Sequence, residues 1–400
     1  MYGREDISYL GRTNGRGEPR VFGIRQPDRL SHLYMVGRTG TGKTTLTETL
    51  AAQDIRAGRG LCVIDPHGDL AERLVARTPA GRTSELVYLN AADQAQPYGY
   101  NPLRQVGREH VPLAVSGLME AFKKLWVDAW GVRMEHILRN ALYALIETGG
   151  ATLPDLLRLL RDQSYRRDVA SRVKNEQVRT FWKDEFKGYN PRYRQEAIAP
   201  IQNKVGAFLA DPRLYRLLVA PPVDLHFRRL MDDGGILIVN LAKGRLGDDS
   251  ATLLGALLVT TIGLAGLSRA DTPASARRSF FLYIDEFQSF TTLSLANMIS
   301  ELRKFGIGLT LAHQHLHQLE PEIRHAVLGN AGTLISFRIG PEDASLISRE
   351  FESVFEPVDF LRLPNRSIYL TLMIDGAPSR PFSAETLHPD ELEKVLRAVT

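Results

Sequence analysis

The stretch Leu33-Tyr34-Met35-Val36-Gly37-Arg38-Thr39-Gly40-Thr41-Gly42-Lys43-Thr44-Thr45 decides how the rest of the chain is read. Four apolar residues of strand character run into a glycine-rich turn, and a helix-like segment follows from Thr45. Gly37 to Thr44 matches the phosphate-binding loop pattern GxxxxGK[ST] at every fixed position, in the strand–loop–helix context the pattern requires. Its glycines let backbone N–H groups turn inward around a phosphate, at a helix N-terminus that already favours negative charge. Gly37, Arg38, Thr39, Gly40, Thr41 and Gly42 form the expected cradle, and Lys43 offers a cation to the β- and γ-phosphates. Thr44 carries the hydroxyl expected to ligate Mg²⁺, and Thr45 completes the site at the first helical turn. The expected ligands are ATP and Mg²⁺.

Working outward, three more strand ends carry polar residues suited to the same crevice. Phe280–Ile284 is an apolar run ending in Asp285-Glu286. A carboxylate at the end of a buried parallel strand points to where open α/β sheets bind ligands. Asp285 is expected to serve the metal, and Glu286 to polarise the attacking water. Ile307–Leu311 leads to Ala312-His313-Gln314, where Gln314 can hydrogen-bond water or γ-phosphate; an ordinary loop role is the alternative. Asp65-Pro66-His67-Gly68-Asp69 follows a third run and reads either as a border of the crevice or as a plain turn. His313, His315 and His317 alternate, but no cysteines or HExxH spacing accompany them, so a metal there is not expected.

The same kind of apolar, β-branched run recurs at Leu61–Ile64, Leu86–Leu89, Ile236–Val239, Thr333–Ile339 and Ile368–Ile374. Helix-length segments separate most of these, which predicts an α/β fold around a mostly parallel sheet. The last run, ending at Asp375-Gly376, fits an antiparallel edge strand as well. From about Leu103 to Leu230 the pattern changes to helical spacing, as in Ile137, Leu138, Ala141, Leu142 and Leu145. Residues 103–230 are therefore read as an all-α domain inserted into an α/β domain made of 1–102 and 231–400. That insert carries 22 Lys or Arg against 14 Asp or Glu, a net +8, within a chain of formal net charge +4. Such asymmetry points to a polyanionic partner, or more simply to an Arg-rich solvated surface.

Nineteen residues without a charge, Ser250 to Ser268, are long enough to span a bilayer, but a helix buried in an α/β core has the same composition. The expected reading is the core helix. The single cysteine, Cys62, excludes an internal disulfide framework and lies in an apolar run. Met1 to Leu10 has charges and no apolar core of the signal-peptide kind.

Taken together, these stretches resemble the HerA–FtsK branch of P-loop motor ATPases, and most closely the type IV coupling proteins of the TraD/TraG family. The resemblance is carried by Phe22-Gly23-Ile24 through Asp28-Arg29, His32 to Thr44, Val63 to Asp69, and Tyr100-Asn101-Pro102-Leu103. Further along it rests on Tyr283 to Phe287, Leu302 to Gly306, Ala312 to Gln314, and Ser336 to Gly340. It implies a RecA-like motor domain with a helical insert, working as a ring, usually a hexamer, around single- or double-stranded DNA, with active sites between subunits. It implies that Arg303 is the arginine finger given to a neighbour's site, with Arg338 and Arg324 as the alternatives. A relaxase or a secretion-channel component is the further expected partner. Coupling proteins of this kind begin with transmembrane helices, and no such segment opens this sequence. The expectation is a cytoplasmic protein without direct membrane insertion, peripheral at the inner face if it docks there at all.

The function expected on these grounds is ATP-driven translocation of DNA in conjugation or type IV secretion. The rival readings are a soluble HerA-like helicase in repair or phage defence, a secretion ATPase handling protein cargo, and a nucleotide-binding scaffold without catalysis.

Overall fold

The computed structural model describes residues 7–15, 18–126, 128 and 130–399; six of the ten residues behind the signal-peptide reading lie outside these. One sheet of eleven strands organises the molecule. Its order is Val21–Arg25, Ile7–Thr13, Phe382–Thr386, Ser367–Thr371, Thr333–Ser336, Leu33–Val36, Ile307–His313, Phe280–Ile284, Gly60–Asp65, Ile236–Asn240 and Leu86–Asn90. The seven strands from Thr333–Ser336 to Leu86–Asn90 are parallel. The other four continue the sheet antiparallel.

Every expected apolar run contains a strand, although Thr333–Ile339 is strand only as far as Ser336, and one run needs a correction of position. The run Ile368–Ile374 is antiparallel but does not lie at an edge, because Phe382–Thr386 pairs with its far side. The edge belongs to Val21–Arg25. The run also breaks after Thr371, and Met373–Ile374 pairs separately with Ala377–Pro378 across the Asp375-Gly376 turn.

The parallel strands are buried on both faces, which is why they read as continuous apolar runs and not as alternations. Leu33, Met35, Val63 and Tyr283 face the helices Lys43–Arg56 and Asp69–Arg77. Tyr34, Val36, Cys62, Ile64, Leu282 and Ile284 face the opposite side, in a core shared with the long helix Asp248–Leu267. That helix is the uncharged stretch, and most of its residues are buried inside the protein. Gly255 lets it approach: a Cβ there would lie 2.2 Å from the Phe290 ring. Burial also pushes the Cys62 thiol up, so it stays a protonated core group.

Between Tyr98–Gly99 and Val223–Asp224, two short strands that pair with each other, all regular structure among the described residues is helical. The neck is tied by Tyr100 N–H to Leu217 O at 2.8 Å and by Asn101 Nδ2 to Ala151 O at 2.7 Å. The first long helix of this region, Val111–Leu125, packs on Asp248–Leu267 and Leu293–Leu302. There Lys124 Nζ donates to the carbonyls of Gln288 and Thr291, and Ser294 N–H donates to Glu120 Oε2. The two regions share one apolar core.

Behind the sheet, an ion pair locks the N-terminal segment to the core of the parallel sheet. Arg29 donates to Asp54 at 2.6 and 3.0 Å and to the Tyr283 hydroxyl at 2.6 Å, with both charged side chains almost wholly buried. Burial alone would lower the Arg29 pKa, but the Asp54 and Tyr283 partners override it and hold the guanidinium charged. Asp54→Ala should therefore cost about 3–5 kcal/mol, since it strands Arg29 without a counter-charge. Denaturant unfolding measures this; a loss under about 1 kcal/mol would mean that the cluster relaxes or hydrates freely.

Candidate nucleotide site

Four of the parallel strands are immediate neighbours: Leu33–Val36, Ile307–His313, Phe280–Ile284 and Gly60–Asp65. Because they are parallel, the loops after Val36, His313, Ile284 and Asp65 all leave from one edge. The sheet order alone thus gathers the motifs that lie far apart in sequence. They line a cavity of about 370 Å³ formed by Thr39, Gly40, Gly42, Lys43, Thr44, Thr45, His67, Asp285, Glu286, Gln314, Asn365 and Arg366.

The loop is held open by its own backbone. Gly42 has φ 122°, a conformation closed to other residues, and stands just before the helix Lys43–Arg56. Thr41 Oγ1 donates to Arg38 O at 2.7 Å, which pins the turn from inside. The N–H groups of Gly40, Gly42, Lys43 and Thr44 have no acceptor among the described residues. Together with the helix N-terminus they form a cluster of free donors suited to a polyanion. Gly37, Arg38 and Thr41 shape the loop and do not line the cavity. The Arg38 side chain runs toward Gly340.

Lys43 is buried, and its ammonium donates to the carbonyls of Gly37 and Arg38. Burial lowers its pKa, opposed by the charges of Asp285 and Glu286. The Thr44 hydroxyl donates to Asp285 Oδ2 at 3.1 Å, so the two predicted metal ligands stand side by side. Burial, then the neighbouring charges of Glu286 and Asp65, push the Asp285 carboxyl up to about 6, against Lys43 and the Thr44 hydrogen bond. A carboxylate so crowded by negative charge is suited to a divalent cation.

Glu286 adopts left-handed backbone angles, φ 49° and ψ 45°, at a cost of about 1–3 kcal/mol for a residue with a side chain. Its carboxylate is held from both sides: Gln314 Nε2 donates to Oε1 and Gln288 Nε2 to Oε2, each at 2.6 Å. Gln314 Oε1 in turn accepts from Thr39 Oγ1 at 2.9 Å. A continuous chain of hydrogen bonds therefore joins the phosphate loop, Gln314 and Glu286.

Of the Asp65 turn, His67 reaches the cavity. Asp65 itself turns inward and accepts from the N–H groups of His67 and Ala71, both at 2.9 Å. His313 is fully buried beneath the loop, 2.9 Å from the Tyr34 hydroxyl, and burial drives its pKa down to about 3. His315 and His317 both lean on the buried Asp343. No cluster able to hold a metal forms from these among the described residues.

Arg303 is exposed and lines a different cavity of about 460 Å³ with Ser31 and His32. These residues precede the strand Leu33–Val36, whereas the phosphate loop follows it, so Arg303 stands at the opposite edge of the sheet. Its guanidinium makes no hydrogen bond or ion pair among the described residues. Arg338 is occupied, donating to Leu363 O and Asn365 Oδ1.

Sequence reasoning missed Asn365 and Arg366. Arg366 N–H donates to Thr41 O at 2.8 Å, with the residue left-handed at φ 70°. Its Nε is buried without a partner. Nothing local marks this pair; only the antiparallel return of Ser367–Thr371 beside Thr333–Ser336 brings it to the loop.

The fold has counterparts among known proteins. The model of the type IV secretion-system coupling protein DNA-binding domain matches residues 23–347. A search of curated proteins by sequence found no match. Among solved structures, the bacterial conjugative coupling protein TrwBdeltaN70 is similar with TM-score 0.66 at 18% identity, over 94% of this chain and 88% of that one. TrwB in complex with ADP and Mg²⁺ gives TM-score 0.64 at 18% identity, over 92% and 87%. VirB4 of Thermoanaerobacter pseudethanolicus gives TM-score 0.66 at 14% identity, over 98% and 99%. At such identities these structures speak for the P-loop NTPase fold alone, while the match from 23 to 347 carries the relationship: the chain belongs to the type IV secretion-system coupling protein family.

Proposed function

We propose that the chain is an ATP-hydrolysing motor that moves DNA through a ring of its own copies in conjugation or type IV secretion. The observation that carries this reading is the convergence of Lys43, Thr44, Asp285, Glu286 and Gln314 on one cavity beside the free amides of the phosphate loop. A non-catalytic scaffold would have no use for a strained, doubly held Glu286. TrwB, similar in fold, has been seen with ADP and Mg²⁺.

In this reading the loop amides and Lys43 bind the triphosphate. Thr44 and Asp285 hold Mg²⁺, which neutralises charge on the phosphate oxygens. Glu286 orients the attacking water and accepts its proton, while Gln288 and Gln314 fix the carboxylate. Through Thr39, Gln314 also ties that carboxylate to the loop around the phosphates. Arg303 faces away from its own cavity and reaches a neighbour's in the ring, where such an arginine stabilises the transferring phosphoryl group. Asp285 and Glu286 sit in the motor part, 1–102 with 231–400, and the helical part 103–230 meets the cargo. We place the protein in the cytoplasm, at the inner face of the membrane through its secretion partners.

ATP turnover measured at low salt, with and without single- and double-stranded DNA, tests the reading. Stimulation by DNA that fades steeply with added salt is the expected outcome. Turnover indifferent to every DNA, in assembled protein, would refute the DNA motor, and stimulation by protein cargo alone would select the rival secretion ATPase.

Subunit mixing tests Arg303. Arg303→Ala and Lys43→Ala proteins should each be nearly inactive, and their mixture should regain activity, because some interfaces then combine an intact Lys43 with a neighbour's Arg303. Mixed rings that stay inactive would remove Arg303 from the shared site.

A further inference from the structure

Far from the nucleotide cavity, the helical region contains a second open cavity of about 770 Å³. It lies where the helices Leu153–Arg161, Gln163–Arg172 and Pro191–Leu209 meet the π-helical turn Phe181–Glu185. Six cations line it: Arg161, Arg166, Arg167, Lys183, Lys187 and Arg194. No carboxylate does.

Elsewhere in the helical region several arginines have acidic partners, Arg139 with Glu135 at 2.7 Å, Arg172 with Asp168 at 2.9 Å, Arg192 with Glu196 at 3.0 Å and Arg213 with Asp211 at 2.6 Å, while Lys123, Arg133, Lys174, Arg179, Lys204 and Arg216 make no ion pair among the described residues. None of the six cavity cations makes an ion pair among the described residues.

Two of the six are built in. Arg166 is buried and donates to the carbonyls of Leu159 and Leu160 at 2.9 and 3.1 Å, the negative end of a helix. Arg194 Nη2 donates to the carbonyls of Phe186, Lys187 and Tyr189, while its Nε is buried with no partner. Both guanidinium carbons lie about 5 Å from the centre of the Phe186 ring, at 4.9 and 5.1 Å. Two like charges are thus held on one ring at the back of the cleft, an arrangement that an anion relieves. Burial and the Arg194 charge also lower the Arg166 pKa. Arg167, Lys183 and Lys187 are exposed along the rim.

We propose that this cleft binds the phosphate backbone of a nucleic-acid strand, without reading its bases, as a second phosphate site of the chain. Fork-like guanidinium donors suit phosphate oxyanions. Bases would need exposed aromatic faces to stack on, and the one indole in the lining, Trp182, is buried with its Nε1–H donating to Asn140 O at 3.3 Å. The choice of nucleic acid as the polyanion rests on the DNA-motor reading; the cleft and its unpaired charge do not.

The test is binding of a fluorescent oligothymidylate to the full chain without nucleotide, across a salt series. The cleft variant combines Arg167→Glu, Lys183→Glu and Lys187→Glu. A control of equal charge change combines Arg139→Glu, Arg172→Glu and Arg192→Glu. The cleft variant should bind at least about tenfold more weakly, and the salt slope should fall by about 2 for three lost phosphate contacts. The control should stay within about threefold of wild type, with thermal unfolding confirming that both variants fold. Because the control also breaks ion pairs, a second cleft variant, Lys183→Gln with Lys187→Gln, should show the same trend with one third of the charge change. Equal weakening by cleft and control variants, or none by either, overturns the site while leaving the motor reading intact. Wild-type protein that binds no nucleic acid overturns both. Displacement of the oligothymidylate by polyglutamate as effectively as by unlabelled DNA would overturn the nucleic-acid assignment in favour of an acidic protein segment.

Discussion

Lys43→Ala is expected to lower ATP turnover by at least about 10²–10³-fold, the range typical of losing one donor aimed at developing negative charge. The structure gives two reasons for a loss at the upper end. The ammonium is buried, so its charge acts with little screening by water. It also opposes the upward pressure on Asp285, so its removal pushes that carboxyl further toward the protonated form and weakens the metal position. Nucleotide affinity should fall together with turnover. Steady-state phosphate release and binding of a fluorescent nucleotide measure the two effects. Turnover within threefold of wild type would remove the phosphate loop from the reaction.

Glu286→Gln separates binding from chemistry. The substitution keeps the shape of the side chain and the phosphate loop untouched, so nucleotide should bind with an affinity near that of wild type. Turnover should fall by about 10²–10⁴-fold, the usual range for removing a general base. One further strain is built in. Gln288 and Gln314 donate to different oxygens of the carboxylate, and an amide at 286 replaces one of those oxygens with an NH2 that faces a donor. The variant should therefore hold ATP while losing the fixed orientation of the side chain at 286. Rapid single-turnover hydrolysis in this variant would disqualify Glu286 and direct attention to another water-positioning group.

Much of the molecule was legible because its signals are local. The loop Gly37–Thr44 needs only its own residues, and each buried parallel strand announces itself as an unbroken apolar run. Asp285, Glu286 and Gln314 could be nominated because they end such strands. Their convergence needs one fact more, that the strands are parallel neighbours, and this follows from the α/β pattern. The antiparallel flank was harder. Ile7–Thr13 and Val21–Arg25 are only partly buried and interrupted by charges, so they lack the apolar density of the central strands. Asn365 and Arg366 were invisible for a different reason: a polar turn acquires its place through the order of the sheet, which no spacing in the sequence encodes.

The aromatic residues of the helical region illustrate the same limit. Read along the chain, Trp126 and Trp182 are interleaved with basic residues, which is compatible with stacking on bases, while the four-residue spacing of Trp126 and Trp130 favours packing on a helix face. Folded, Trp126 lies against Phe122 with ring centres 4.5 Å apart, and Trp182 is enclosed by Phe181 and Phe186. Composition shows which groups are present, but only packing decides which face outward.

The contact between Val111–Leu125 and the loop after Glu286 bears on any attempt to dissect the protein. Trimming the polypeptide at positions 103 and 230 would strip away the roof of the loop after Glu286 along with the inserted helices. The carbonyls of Gln288 and Thr291 would lose the lysine that satisfies them, Ser294 would lose its acceptor, and the apolar flank of Asp248–Leu267 would meet water. A shortened enzyme of that kind would report the collapse of its own scaffold, and silence from it would say nothing about what the missing helices do.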